Sequence, residues 1–440
     1  MTINRREFVR GLAGLAGAAA LGREPDLSGI EHVVVVMMEN RSFDHLLGWL
    51  PNSDGRQPGL WYADATGAFH PTHALAPDYT GCGHVDPDHS YLGGRIQYDR
   101  GAMDGFLREG EDLYPIGYYT ERARPFTSAL ARHYTTLDRS FCSILGPTFP
   151  NRFFLHAAQT DRLSDALVVA TMPTIWDRLA GAGVSHVYYY SNLPFLAFWG
   201  LKYLPISQPY SRFLFDAATG MLPAVSFLDP KFTLVDDGTG NDDHPHADIR
   251  AGDAFLAQAF HAVASGPDWN STVFIVTYDE WGGFFDHVSP PRAAAPNIVD
   301  PDLVAGKARL GFRVPTIVAS PWSRGWAFYP RVHHGTFDHT SILKLIEWRW
   351  GLPPLTARDA SQDVLNLACV LDFDRPRVLV PPLPRPSAPP RSACGATAAE
   401  AALASPADVP GASPPGDRPQ KNWQALLESG LLASWPIHSG

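Results

Sequence analysis

A chain of 440 residues, 45% hydrophobic and 18% charged, is long enough to bury one large core without staples. A formal charge of -10 and the lack of any arginine-rich run interleaved with aromatics leave no basic field for a nucleic-acid backbone, so nucleic acid is not expected as a partner. Past residue 22, no stretch reaches the roughly 20 apolar residues needed to cross a bilayer.

Residues 1–25 stand apart. Arg5-Arg6-Glu7-Phe8-Val9-Arg10 precedes a small, mildly apolar run, 11–22, that contains no acid. This is the pattern of a twin-arginine export signal, and it is preferred to an amphipathic helix because alanine and glycine would bury little. The expected partner during export is the twin-arginine translocase, and the expected location is secreted or at the cell envelope.

A catalytic domain is expected over 26–375. Its first strand, 33–38, is β-branched and apolar, and it delivers Glu39 and Asn40 just before a helical pattern at 42–50. Ligands of open α/β sheets collect at that carboxyl edge. Asp86-Pro87-Asp88-His89 follows in a loop-like stretch. In Gly146-Pro147-Thr148-Phe149-Pro150-Asn151-Arg152, prolines bracket a threonine ahead of a helical pattern at 151–160. Thr148 or Phe149 then falls at the N-cap, where the helix terminus and a neighbouring cation would activate a hydroxyl. Simple capping is the competing reading. Asn151 and Arg152 carry donors suited to phosphoryl oxygens or to holding the loop.

Further elements alternate as a helix at 174–182, strands at 186–190 and 224–228, and a helix at 247–264 entered by Asp242-Asp243-His244-Pro245-His246. The strand 272–278 ends in Asp279-Glu280. A strand at 314–319 and a helix at 340–350, entered by Asp338-His339, complete the series. Such alternation specifies a mostly parallel, doubly wound sheet with covering helices. Two apolar strands that each end in adjacent oxygen ligands point to a divalent metal of unspecified identity. The loop histidines suit metal ligation when neutral; as imidazolium they suit donation to phosphate or to a leaving alkoxide.

Proline, alanine and serine dominate 376–417, which reads as an extended linker. In the final stretch, 418–440, Trp423, Leu426, Leu427, Leu431 and Leu432 lie at helical spacing, as in a short helix docked on the domain. Four cysteines, Cys82, Cys142, Cys369 and Cys394, show no zinc-ligand spacing. Disulfides and free buried thiols both remain open.

Together, Glu39-Asn40-Arg41-Ser42-Phe43-Asp44-His45, Thr148-Phe149-Pro150-Asn151-Arg152, 279–288 with Pro290-Pro291, and Arg313-Val314-Pro315 with Ser320-Pro321-Trp322 resemble the serial motifs of the phosphoesterase family. That family holds bacterial phospholipases C, plant non-specific phospholipases C and an acid phosphatase. The resemblance spans about 30–359 and implies an alkaline-phosphatase-like fold, a three-layer α/β/α sandwich with a mostly parallel central sheet. It places Glu39, Asn40, Thr148, Asp279 and Glu280 around a divalent metal, with Thr148 as nucleophile and His89 and His244 facing the phosphate or leaving group. It further implies substrate contacts from Asn40, Asn151, Arg152 and His246. The implied activity is phospholipase C hydrolysis of phospholipids through a phosphothreonine. Threonine at 148, where the related phosphatase has serine, leans the same way. A broad acid phosphatase acting on small phosphomonoesters is the alternative, and a non-catalytic exported binding protein a distant one. Trp281 departs from the histidine or asparagine often found after the acid pair.

Overall fold

The computed structural model describes residues 24–109, 112–234, 239–390, 394 and 422–438. All but the last two positions of the expected export signal lie outside the described residues. The fold is organised by the run His32–Met38, where four consecutive valines favour extended backbone. Alternate side chains leave this strand on opposite faces. Val33, Val35 and Met37 enter one core, and Val34, Val36 and Met38 enter the other.

Eight strands form the central sheet: β1 (His32–Met38), β2 (Thr135–Leu137), β3 (His186–Tyr190), β4 (Ser207–Pro209), β5 (Val225–Asp229), β6 (Thr272–Tyr278), β7 (Thr316–Ala319) and β8 (Arg331–His333). Their spatial order is β8-β2-β7-β6-β1-β5-β3-β4. β7 runs antiparallel to both of its neighbours, and the other pairings are parallel.

Helices cover both faces, as burial of both sides of β1 requires. After the short α1 (Phe43–Leu47), one face carries α2 (Pro125–His133). The opposite face carries α3 (Thr148–Ala157) and α4 (Ile175–Ala182), while α5 (Tyr210–Thr219) and α6 (Ile249–Ser265) join α2. α7 (His339–Trp350) and α8 (Asn422–Glu428) pack on the α3 side. The result is the expected three-layer α/β/α sandwich. Among the described residues, no helix is long and apolar enough to cross a membrane.

Two local expectations change. The helix expected at 151–160 begins at Thr148, with Pro147 rather than Thr148 at its N-cap, and stops where Ala158 turns left-handed at φ 54°. A proline within the first helical turn lacks only an N–H that the helix would leave unbonded anyway, so Pro150 does not delay the start. The stretch expected as a linker is packed over its first part. Trp269 Nε1 donates to the Val378 carbonyl at 2.9 Å, His261 Nε2 donates to Pro384 at 3.2 Å, and Leu383 enters the core. Proline-rich extended backbone leaves its carbonyls unbonded, and the domain surface supplies the donors.

Cys394 then forms a disulfide with Cys82, 312 residues away in sequence, while Cys142 and Cys369 stay reduced. The remainder of the expected linker, 395–417, lies outside the described residues. α8 returns to the domain and buries Trp423 and Leu426 in the α3-side core, joined by Leu432 and Trp435 beyond it. Opening the disulfide with the pair Cys82→Ser and Cys394→Ser is expected to lower the unfolding free energy by about 2–4 kcal/mol. The readout is the urea midpoint at constant slope. An unshifted midpoint would show that this closure leaves the unfolded chain unconstrained.

Candidate active site

β1 and β6 pair in parallel with Met38 opposite Tyr278, so Glu39-Asn40 and Asp279-Glu280 leave the sheet side by side. Asn40 turns left-handed at φ 55°, a conformation asparagine tolerates better than most residues. Its N–H then donates to Asp279 Oδ1 at 3.0 Å, an oxygen that also accepts the Glu280 N–H at 2.7 Å. The turn beyond needs glycine twice over: Gly282 has φ +64°, and a Cβ there would lie 2.1 Å from the Asn40 carbonyl oxygen. Its N–H donates to Glu280 Oε2 at 2.6 Å.

Thr148 opens α3 at the same edge, in the positive field of the helix N-terminus. Its hydroxyl donates to Asn40 Oδ1 at 3.3 Å, and Asn40 Nδ2 donates to His89 Nε2 at 3.1 Å. One amide therefore touches the hydroxyl, the imidazole and, through its backbone, the acid pair. His89 Nδ1 donates to the Pro87 carbonyl at 2.7 Å, and His244 Nδ1 donates to Pro245 at 3.0 Å. A carbonyl can only accept, so each neutral ring carries its lone pair on Nε2. Burial holds His89 neutral, down to about 4, and pushes His244 well below the usual imidazole range. The two rings lie 6.0 Å apart. His89 Nε2 is 3.7 Å from Glu280 Oε1, and His244 Nε2 is 3.8 Å from Asp86 Oδ2.

Glu39, Asn40, His89, Thr148, Asp279 and Glu280 are fully buried, and His244 at 7% exposure marks where the cluster meets solvent. Desolvation raises all three carboxyls, Asp279 to about 6 and Glu39 and Glu280 well above their usual range. Asp279 Oδ2 and Glu280 Oε1 have no hydrogen-bond partner. Buried carboxylate oxygens left in that condition, beside an amide and a hydroxyl oxygen, fit a hard divalent cation. Glu39, Asn40, Thr148, Asp279 and Glu280 are the residues that would hold it.

Three residues expected at the substrate are occupied elsewhere. Asn151 Nδ2 lies within hydrogen-bonding distance of the carbonyls of Ile144, Gly146 and Pro147, and its Oδ1 accepts the Ile144 N–H at 3.1 Å. It holds the loop that presents Thr148. Arg152 is fully buried, with Nε 3.0 Å from Glu39 Oε1, NH1 2.9 Å from Asp229 Oδ1 and Nε 3.3 Å from Asp279 Oδ2. Its guanidinium neutralises ligand carboxylates and is spent there. His246 Nε2 donates to the His84 carbonyl at 3.0 Å and so fixes the loop that carries His244.

Sequence reasoning missed Asp229, Asp165 and Trp423. Asp229 closes β5 at the same sheet edge, the very signal that marked Asp279. Asp165 accepts the Phe149 N–H at 2.7 Å in the first turn of α3. Trp423 Nε1 donates to Glu39 Oε2 at 2.8 Å. Neither of these two carries a local pattern that points to the site. A second group, Asp44, Asp286 and His287, also converges, but Arg313 lies 3.0 Å from Asp44 and 2.8 Å from Asp286. Its charge is balanced by an internal cation, which makes it a structural network.

The profile of the Phosphoesterase family matches residues 30–353. Non-specific phospholipase C1 of Arabidopsis thaliana is 33% identical over 75% of this chain and 69% of its own length. Phospholipase C B of Mycobacterium tuberculosis is 34% identical over 86% of this chain and 84% of its own. Among solved structures, the lipoteichoic acid synthase LtaP of Listeria monocytogenes aligns over 82% of this chain and 81% of its own, with TM-score 0.39 and 8% identity. The chain belongs to the phosphoesterase family and is a hydrolase of phosphoester bonds.

Proposed function

We propose that this protein is an exported, metal-dependent phospholipase C that cleaves phospholipids through a phosphothreonine. The observation that carries the reading is Thr148. Its hydroxyl sits at a helix N-terminus, bonded to Asn40, inside a buried cluster of carboxylates whose charge Arg152 offsets only in part and two of whose oxygens, Asp279 Oδ2 and Glu280 Oε1, accept no hydrogen bond. The phospholipase names of its relatives support a phospholipid substrate.

Thr148 Oγ attacks phosphorus in line, forming the Oγ–P bond as the bond from phosphorus to the diacylglycerol oxygen breaks. A divalent cation, when bound, supplies Lewis-acid stabilisation of the threonine alkoxide and of the phosphoryl oxygens. The Thr148 proton passes to the lone pair of a resting histidine as attack proceeds, and that ring returns it to the diacylglycerol oxygen as its bond to phosphorus breaks. The resting histidines carry lone pairs on Nε2, so the donor has to charge first. A bound phosphodiester places a negative charge beside His244 and His89 and raises their proton affinity, which lets one serve as the acid. Water then attacks phosphorus, Oγ departs with a proton, and the phosphorylated head group is released. The burial of the centre strengthens each of these charge interactions.

Arg5-Arg6 and the small apolar run after it support export by the twin-arginine translocase, and the Cys82–Cys394 disulfide agrees with an oxidising compartment.

Phosphorus NMR of the purified chain with phosphatidylcholine is expected to show phosphocholine in the presence of divalent cation and none after chelation. Thr148→Ala is expected to lower kcat by about 10³-fold or more. Inorganic phosphate from a simple monoester, with phosphatidylcholine untouched, would replace the reading with a phosphomonoesterase.

The carboxyls also make cation binding pH-dependent. Burial holds Asp279 up to about 6 and Glu39 and Glu280 well above their usual range, against about 4 in an unfolded chain. The folded, metal-free protein therefore binds more protons than the unfolded one across that window, and these groups withdraw stability as pH rises through it. Buried His89 and His339, both held down to about 4, act in the opposite sense, so the total profile mixes signs. The difference between cation-loaded and chelated protein does not. Its urea-midpoint gap is expected to widen as pH rises from about 4 through about 6, and a gap independent of pH would argue against a cation held by these acids.

A further inference from the structure

Glu39 is gripped from two sides by residues far apart in the chain. Oε1 faces Arg152, with Nε at 3.0 Å and NH2 at 2.9 Å. Oε2 accepts the indole N–H of Trp423 at 2.8 Å, a partner 384 residues away. The indole is itself fixed: 1% exposed, it stacks on Phe232 at 3.6 Å and 11°, and meets Phe149 edge-on at 5.2 Å. The Arg152 guanidinium lies over the same two rings, 4.7 Å from Phe232 and 5.4 Å from Trp423.

The neighbouring residue acts on the other half of the centre. Asn422 Nδ2 donates to Asp165 Oδ2 at 3.1 Å, and Asp165 Oδ1 accepts the Phe149 N–H one residue beyond Thr148. The start of α8 thus touches a carboxylate proposed to hold the cation and, through Asp165, the first turn of the helix that presents the nucleophile.

We propose that Trp423 is a positioning residue for Glu39, and that the segment beyond the proline-rich stretch completes the catalytic centre. The inference rests on the reading of Glu39 as a cation ligand in a phosphoesterase. A carboxylate held at one oxygen can still turn about its last torsion, whereas one held at both has its plane set before the cation arrives. Indole has a single N–H and no acceptor, so it can bond only an oxygen lone pair and keeps Glu39 as an acceptor toward the site. Partners of this kind behind a ligand typically contribute 10–100-fold to metal affinity.

The test uses the full chain and Trp423→Phe, which keeps an aromatic ring against Phe232 and Phe149 while removing the N–H and part of the indole's volume. Mn²⁺ titration of the chelated protein, followed by electron paramagnetic resonance, is expected to show about 10-fold weaker binding. At fixed subsaturating Mn²⁺, kcat on a chromogenic phosphocholine ester is expected to fall with KM little changed. Trp435→Phe is the control for packing alone: this buried indole of the same segment donates to the Gly200 carbonyl at 3.2 Å, and its loss is expected to move thermal stability without moving Mn²⁺ affinity. In a Glu39→Gln background, Trp423→Phe is expected to produce no further loss of affinity. Unchanged Mn²⁺ affinity in folded Trp423→Phe overturns the proposal, as does a wild-type chain that takes up no divalent cation. A wild type that binds Mn²⁺ yet cleaves no phosphoester sinks only the functional reading, because the affinity comparison stands without turnover.

Discussion

The structure is organised around negative charge held out of water. Glu39, Asp279 and Glu280 emerge from adjacent strands into a fully buried space, and Arg152 forms ion pairs with Glu39, Asp279 and Asp229. Removing an ionised carboxylate from water costs several kcal/mol even after relaxation, and one guanidinium cannot offset three or more of them. The imbalance appears as raised proton affinity at every carboxyl of the group and as two carboxylate oxygens without a hydrogen bond. A fold stabilised only by its core would gain by replacing these side chains with apolar ones. Their presence is explained by a positive ligand, either a metal ion or the protons that take its place.

The surrounding elements follow from that constraint. Parallel pairing of β1 with β6 aligns the two acid pairs, and a left-handed Asn40 lets one residue reach the hydroxyl, the imidazole and the acids at once. α3 points its N-terminus at the same place, and Asn151 locks the loop before it through bonds to three carbonyls. The histidines are oriented by backbone rather than by side chains: the Pro87 and Pro245 carbonyls accept hydrogen bonds from their Nδ1 N–H groups and turn both Nε2 atoms inward. Each of these devices fixes direction, and little in the site depends on a freely rotating group.

What could be read in advance was whatever a short stretch of sequence encodes. Long buried strands such as 33–38 and 272–278 declare themselves by β-branched runs, and the acids that end them mark the ligand edge. The three-residue strands Thr135–Leu137, Ser207–Pro209 and Arg331–His333 are too short to carry a period, and they join the sheet because of their neighbours. Arg152 and Asn151 illustrate a different limit. Their chemistry suits a phosphate equally well, and only the three-dimensional count of partners shows that the donors are already taken. Trp423 had been legible as one apolar face of a helix, but its indole N–H has a destination that no local pattern records. The packing of 378–384 has a related cause: composition reports that a backbone is extended, not that its carbonyls find donors at Trp269 and His261.

The same long-range closure bears on when the centre can form. β1 brings Glu39 early in the chain, β6 brings Asp279 in the middle, and Trp423 arrives near the end, so the cluster is assembled only from a nearly complete polypeptide. The loop carrying His89 is tied by Cys82 to Cys394, whose Cα atoms stand 5.3 Å apart in the folded chain. A route that carries folded proteins suits such a molecule. The carboxylates can meet their cation before export, and the two thiols, already adjacent, need only an oxidising compartment to close the loop. An unfolded passage would instead leave the buried acids to find both their cation and their distant indole in the outer medium. On the proposed reading of 1–25 as a twin-arginine signal, the centre would be finished before the chain is exported.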